Sequence, residues 1–329
     1  MRGGRLTRRM RHPVPSKIVD SSTATTIPLQ PARLSPGARV ALIAPAGAAA
    51  AERVDAALRQ CRQLGLEPVL GAAARNRLGY LADDDAARAR DLQGAIDDPA
   101  IDAIWAIRGG YGTMRILDRI DWTALRRRPR PFIGFSDNTA VHLALAGEGL
   151  ISFHGPHAGG PFPSFTRSCF ASVLFDAHEG PLLLPPGCEP LLTLQPGHAE
   201  GRLLGGNLTL LAALCGTRFA LRSHGRVVLI EDVREPAYRI DRALTQLLMS
   251  GAFAGAAGFA IGQFSERESE PADHRLEDVC AERLGPLGVP VLCGLPFGHV
   301  DAQWCVPLGV RARLDANAQT LELLEPGVV

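Results

Sequence analysis

The chain has 329 residues, of which 46% are hydrophobic and 21% charged, with a formal net charge of +1. That length suggests about two globular domains, at roughly 150 residues each, and the near-zero charge argues against a broad nucleic-acid surface. Lys17 is the sole lysine, so no lysine of the folded body serves catalysis.

The seven cysteines, at positions 61, 169, 188, 215, 280, 293 and 305, are odd in number and show no C-x-x-C spacing. This argues against a zinc ribbon or a dithiol redox site and favours buried, reduced thiols. No uncharged apolar run reaches the roughly 18 residues of a membrane span. Residues 1–34 are rich in Arg, Ser, Thr and Pro and lack an apolar h-region. They are expected to be a disordered extension or a start-site artefact rather than a secretory signal.

Order is expected from Pro36 onward. Arg39–Ala44 reads as a buried strand and ends in a Pro-Ala-Gly turn. Glu52–Leu64 carries Val54, Ala57, Leu58, Cys61 and Leu64 at helical spacing. A short strand at Glu67–Leu70 precedes a helix over Asp84–Ile96, whose leading aspartates suit the helix dipole. Ile101–Ile107 is a strand running into Arg108-Gly109-Gly110-Tyr111-Gly112, and Thr113–Ile120 is expected to be helical. Pro131–Phe135 is a strand ending at Ser136, and a helix follows over Thr139–Ala146. Such alternation implies a parallel sheet with helices on both faces, with ligands at the carboxyl ends of its strands.

Pro and Gly cluster over 155–163 and again over 181–196. The expected division is an N-terminal α/β domain over 35–180, a linker over 181–200 and a C-terminal β/α domain over 201–329. In the second domain, strands are expected at Arg226–Ile230, Gly258–Phe264, Val310–Leu314 and Thr320–Leu324. Helices are expected at Tyr238–Met249 and Asp273–Leu284.

Four places can carry chemistry. Ser136 lies between an apolar strand and a helix, where a sharp turn exposes a side chain and aims backbone N–H groups beside it. The surroundings read G-x-S-x-N rather than G-x-S-x-G, and a serine here is also a common helix N-cap. The Arg108–Gly112 turn could supply half an oxyanion hole or be a plain tight turn. It matches neither a dinucleotide fingerprint nor a P-loop. Glu231, at the end of a buried strand, either joins an ion-pair network or orients an imidazole. His299, bracketed by glycines, suits a base carried on a loop, with His154 its best competitor. No H-E-x-x-H or similar spacing exists, so no catalytic metal is expected. The Arg126–Arg130 run lacks interleaved aromatics and reads as a solvated loop.

Six segments together resemble the LD-carboxypeptidase family, which includes muramoyltetrapeptide carboxypeptidases and microcin C immunity peptidases. They are Ile43–Gly47, Ala106–Gly112, Ile133–Thr139, Gly205–Leu208, Ile230–Val233 with Tyr238–Arg242, and Gly294–His299. The resemblance spans about residues 36–325. It implies a flavodoxin-like N-terminal domain and a smaller C-terminal β/α domain. It also implies a serine peptidase with Ser136 as nucleophile, His299 as base and Glu231 as acid. The oxyanion hole would use backbone N–H groups of Gly110 and Asp137. No cofactor is implied, and a homodimer in the cytoplasm is. The implied substrate is a murein tetrapeptide ending in D-alanine, with Arg108, Arg239 and Asn207 as candidate substrate contacts. Arg239 and its neighbour Arg242 could equally pair with Glu231, Asp232 or Glu235, and Asn207 could merely cap a helix. Two rivals remain: an amidase of aminoacyl-nucleotides, for which Trp304 near His299 would offer an adenine platform, and a non-catalytic binding domain.

Overall fold

The computed structural model describes residues 27–265 and 275–329. Its first half alternates strand and helix: β1 (Arg39–Ile43), α1 (Ala51–Gln63), β2 (Glu67–Leu70), α2 (Asp85–Asp97), β3 (Ala103–Ala106), α3 (Ala124–Arg127), β4 (Phe132–Gly134), α4 (Thr139–Gly147), β5 (Ser152–His154) and α5 (Ser164–Leu174). Short apolar runs such as RVALI and AIWA make strands that tolerate burial on both faces. Asp84 caps α2, accepting a hydrogen bond from the Ala87 amide.

The second half contributes β6 (Gly180–Pro181), β7 (Leu192–Gln195), β8 (His198–Asn207), α6 (Leu208–Ala213), β9 (Arg226–Val233), α7 (Ala237–Met249), β10 (Gly258–Ser265), α8 (Leu276–Leu284), β11 (Val291–Gly298), β12 (Val306–Leu308), β13 (Arg311–Asp315) and β14 (Thr320–Leu323).

Two sheets result. The first has the order β12-β5-β4-β3-β1-β2 and the second β6-β14-β13-β8-β9-β10-β11-β7. Strands β1 to β5 are parallel and follow the flavodoxin-like order 2-1-3-4-5. Strand β12 closes that sheet antiparallel to β5, although it comes from the far end of the chain. In the second sheet β8 to β11 form a parallel block flanked by antiparallel strands. The second sheet is the wider, with eight strands against six.

Each hydrophobic core draws on both sheets. One joins Ile43, Leu92, Ile104 and Val141 to Ile230, Leu244 and Phe259. The other joins Leu42, Trp105 and Phe170 to Leu229, Phe297 and Trp304. Each such fully buried side chain contributes about 1.5–3 kcal/mol, so the cores tie the two sheets firmly together.

Three expectations need correction. Residues 181–200 are not a tether, because β7 pairs with β11 and β6 with β14. Their sparse Leu and Thr residues were enough to add edge strands where a partner edge lay open. Residues 27–34 are not disordered: Leu34 is buried, Leu29 pairs with Leu150, and Pro31 accepts from the Val329 amide. Residues 1–26 lie outside the described chain. Thr113–Arg119 is a 3-10 helix, and the expected start of α8 at Asp273 falls outside the described residues. Among the described residues, no helix is long and apolar enough to cross a membrane.

Candidate active site

The turns that follow β1 and β3 meet at the point where the strand order of the first sheet reverses. The Gly47 amide donates to the Gly109 carbonyl at 3.1 Å. This is where open α/β sheets bind ligands. A trans peptide sends its N–H opposite to its C=O, so that bond turns the Gly110 N–H away from Gly47. Gly110 itself has φ +113, a conformation that glycine adopts without a steric penalty.

Ser136 stands at the carboxyl end of the adjacent strand β4 and has φ +61. A side chain in that left-handed region is strained, and the strain marks a turn that the surrounding structure enforces. Phe135 before it is extended, and the 3-10 turn Ser136–Asn138 after it leads straight into α4. Ser136 is thus a turn residue rather than a simple N-cap. The first amides of such a turn, Asp137 included, lack an intrahelical acceptor and are free to face a ligand. Gly109 packs against it so closely that a Cβ there would lie 2.8 Å from Ser136 Cβ and 2.9 Å from Oγ.

The two turns are fastened together. Asp137 is buried, and its carboxylate accepts from the Thr113 amide at 2.8 Å. Burial raises its pKa, against the opposing pull of the Thr113 bonds and the Arg88 charge. Arg88, also buried, donates to the carbonyls of Pro45 and Gly112 and pairs with Asp85. An internal arginine therefore clamps the turns after β1 and β3.

The second sheet supplies Glu231 from β9 and His299 from the turn after β11. His299 Nδ1 lies 2.8 Å from Glu231 Oε2. A carboxylate can only accept, so Nδ1 carries the proton of this bond. Glu231 is fully buried. Burial pushes its carboxyl up, but the imidazoles of His154 and His299 outweigh that and hold it at about 2. The His299 ring meets Phe135, the residue before Ser136, edge-on at a centroid distance of 4.8 Å.

Strand β10 separates β9 from β11, so this contact needs a distortion. Gln263 pairs with Gly298 while Ile261 pairs with Cys293, so β11 carries extra residues and bulges. Gly262 makes the room, since a Cβ there would lie 2.6 Å from the Phe297 carbonyl oxygen. Gly298, with φ +100, lets the chain pass over Glu231, whose Oε2 would be 2.7 Å from a Cβ.

The expected residues thus divide. Ser136, Gly110, Asp137, Glu231 and His299 gather around Phe135 and the Gly47–Gly109 contact. Arg108 is half-buried nearby and donates to the Ala48 carbonyl at 2.6 Å. Burial and the neighbouring charges of Arg53 and Arg77 lower its pKa. Asn207 caps α6, its Oδ1 accepting from the Leu210 amide, and its Nδ2 donates to Asp232 at 2.8 Å. Burial and the Glu231 charge raise Asp232 to about 6. Arg239 is exposed on α7, 3.5 Å from Glu235, which matches the surface-pair alternative. All three tryptophans are buried, and Trp304 donates to the Leu183 carbonyl at 2.6 Å. Trp304 is therefore no adenine platform.

Sequence reasoning missed Thr139, whose Oγ1 accepts from the Asn207 amide at 2.9 Å and joins α4 to β8. The adjacent Gly205-Gly206 was a usable signal, because a Cβ at Gly206 would lie 2.5 Å from that hydroxyl. It also missed Arg88, whose role depends on close approach between distant turns.

The LD-carboxypeptidase N-terminal domain model matches residues 40–155, and the C-terminal domain model matches residues 200–314. A relative from Streptomyces coelicolor is 45% identical over 311 residues, covering 91% of this chain and 97% of its own. The murein tetrapeptide carboxypeptidase of Pseudomonas aeruginosa is 38% identical over 292 residues, covering 85% of this chain and 94% of its own. Among solved structures, the muramoyltetrapeptide carboxypeptidase from Oxalobacter formigenes has a TM-score of 0.75 at 29% identity, covering 87% of this chain and 97% of its own. The microcin C7 self immunity protein MccF shares the fold, with a TM-score of 0.84 at 23% identity, covering 92% of this chain and all of its own. With both domain models matched in order and relatives aligned over nearly their full length, this chain belongs to the LD-carboxypeptidase family.

Proposed function

We propose that this protein is a serine carboxypeptidase that hydrolyses the L,D-amide bond before the terminal D-alanine of a murein tetrapeptide. The observation that carries this reading is the 2.8 Å bond between His299 and Glu231, with the same ring seated on the residue before Ser136. The substrate class is supported by family membership and by the name of the Pseudomonas aeruginosa relative. The proposed setting is cell-wall recycling in the cytoplasm, with the enzyme as a homodimer.

A serine hydroxyl is barely ionised at neutral pH and needs a base beside it. In the proposed reaction His299 Nε2 takes the Ser136 proton as Oγ attacks the carbonyl carbon. Glu231 holds the tautomer and stabilises the imidazolium. The amides of Gly110 and Asp137 receive the negative oxygen, each worth about 10²–10³ in turnover. His299 then returns the proton to the departing nitrogen, the C–N bond breaks, and D-alanine leaves. Water, deprotonated by His299, attacks the acyl-serine and frees the tripeptide. Arg108 binds the terminal carboxylate, a partner suited to a half-buried guanidinium among like charges.

Mass spectrometry of a murein tetrapeptide incubated with the native protein and with Ser136→Ala tests this reading. Loss of one alanine with the native protein alone is expected. Persistence of the tetrapeptide with both would overturn the substrate assignment, and aminoacyl-nucleotide amides run in parallel would show whether the chemistry survives on another amide.

A further inference from the structure

His154, His157 and His299 pack on Phe135, His142 lies beside His154, and of these four only His299 is not buried. Two of the buried three are accounted for by backbone bonds. His142 Nε2 donates to the Gly134 carbonyl at 2.8 Å and Nδ1 accepts from Ser152 at 2.9 Å. His157 Nε2 donates to the Phe135 carbonyl at 3.1 Å. The third, His154, is 0% exposed, and neither of its ring nitrogens has a hydrogen-bond partner. The buried Glu231 Oε1 also lacks one. These two orphans face each other, with His154 Nε2 3.8 Å from Glu231 Oε1.

Buried polar groups are seldom left unmatched, because each costs the full desolvation penalty. Charge-assisted bonds close to about 2.8 Å, and catalytic bonds in an unliganded enzyme are often long and tighten with substrate. A shift of about 1 Å would satisfy both atoms.

The place of His154 in the fold gives this contact a consequence. His154 lies on β5, in register with Gly134 of β4, two residues before Ser136. Glu231 and His299 come from the other sheet. The site is split between two sheets, and His154 is the side chain of the nucleophile's own sheet that reaches the free oxygen of the acid.

We propose that His154 is a positioning residue. Its Nε2–H holds Oε1 of Glu231, so the plane of the carboxylate, and through it the His299 ring, is set relative to Ser136. Glu231 would then be gripped at both oxygens, one by the base and one by the sheet that carries the nucleophile. This inference rests on the proposed roles of Ser136, Glu231 and His299. A core filler is the competing account, since the His154 ring also packs near Phe135, Phe297 and His142. The titratable groups around it are Glu231 from β9, His142 from α4, Cys305 beside Gly155, and His157 and His299 across Phe135.

The test compares His154→Phe, which fills the space, with His154→Gln, which keeps an N–H donor. Ser136→Ala and His299→Ala run beside them. With native-like thermal unfolding, His154→Phe is expected to lose about 10- to 100-fold in kcat with KM little changed. Its acid limb of kcat/KM should move to lower pH, because a loosely held carboxylate favours the imidazolium of His299 less. His154→Gln should regain most of kcat and the native limb. Native kcat and limb in His154→Phe, or a His154→Gln as impaired as His154→Phe, would overturn the proposal. Should His154→Phe fail to fold, nitrogen NMR of histidine-labelled native protein decides: an Nε2–H tautomer at His154 is expected, and an Nδ1–H tautomer overturns it. If His299→Ala or Ser136→Ala keeps full turnover, the triad reading itself falls, an outcome distinct from failure of His154 alone.

Discussion

Gly262 yields its side-chain space to Phe297: a Cβ at Gly262 would sit 2.6 Å from the Phe297 carbonyl and 2.7 Å from its ring. That vacancy lets the bulged end of β11 fold over β10, so that His299 reaches Glu231 from two strands away. Gly262→Ala is therefore expected to displace His299 and lower kcat by about 10²-fold, the cost of roughly 1 Å of misplacement. Steady-state kinetics on murein tetrapeptide check this, and a variant with native kcat would show that the bulge is not what seats His299.

Gly109 plays the corresponding part for the nucleophile. Its Cβ space is taken by Ser136 Cβ and Oγ, and the Asp137 amide lies 3.2 Å away. Gly109→Ala should cut kcat by at least about 10²-fold while thermal stability changes less, because the pressure falls on the single contact between two turns rather than on the cores. Loss of folding in parallel with activity would contradict this local account.

Ser136→Ala should abolish labelling by a fluorophosphonate and reduce turnover by something on the order of 10⁶. Glu231→Gln keeps the shape but not the charge and should cost about 10⁴. The double variant is expected to be no worse than Ser136→Ala, since the groups act as one unit. Additive losses in kcat would argue that Glu231 works independently of Ser136.

Acid should weaken the fold before most carboxylates titrate. Burial, with His154 close by, holds His142 at about 3, against an ordinary value of 6.5. The unfolded chain then binds a proton that the native state refuses. This stability is whole above pH 6.5 and is lost as pH falls toward 3. Glu231, held at about 2, adds a loss as pH falls below its ordinary 4.5. Asp232, raised to about 6, works oppositely: its contribution is present below 3.8 and is lost as pH rises through 6. His142→Gln should flatten the slope of unfolding free energy between pH 6 and 4 by about 1.4 kcal/mol per pH unit. Urea titrations at several pH values measure that slope, and parallel curves for the two proteins would refute the assignment.

Arg108 lies among Arg53 and Arg77, and it donates to the Ala48 carbonyl. Arg108→Gln is expected to raise KM for the tetrapeptide by about 10- to 100-fold with kcat nearly unchanged, the value of a charged hydrogen bond. The variant should also discriminate less against a substrate whose terminal carboxylate is amidated. An unchanged KM would remove Arg108 from substrate binding.

Much of this protein is legible one residue at a time. The parallel sheet follows from apolar strands alternating with amphipathic helices, and Ser136 announces itself by its place between the apolar run PFIGF and a helix. Local chemistry also marks Asp84 as a cap and the 108–112 glycines as a close-approach turn. The short strands β5, β7 and β12 are not legible, because a three- or four-residue segment becomes a strand only when a neighbouring edge offers its hydrogen bonds. Nor are the partners of Asn207, Arg239 and Trp304, each of which had several possible neighbours in sequence and found one in space. The sequence alone determined which residues have the chemistry to attack, to accept a proton and to orient the acceptor. Only the tertiary structure decided that Glu231 meets His299, that His154 faces the same carboxylate, and that Gly262 and Gly109 leave room for Phe297 and Ser136. Chemical competence belongs to a side chain, whereas a distance of 2.8 Å between strands two apart in a sheet belongs to the packing of the whole chain.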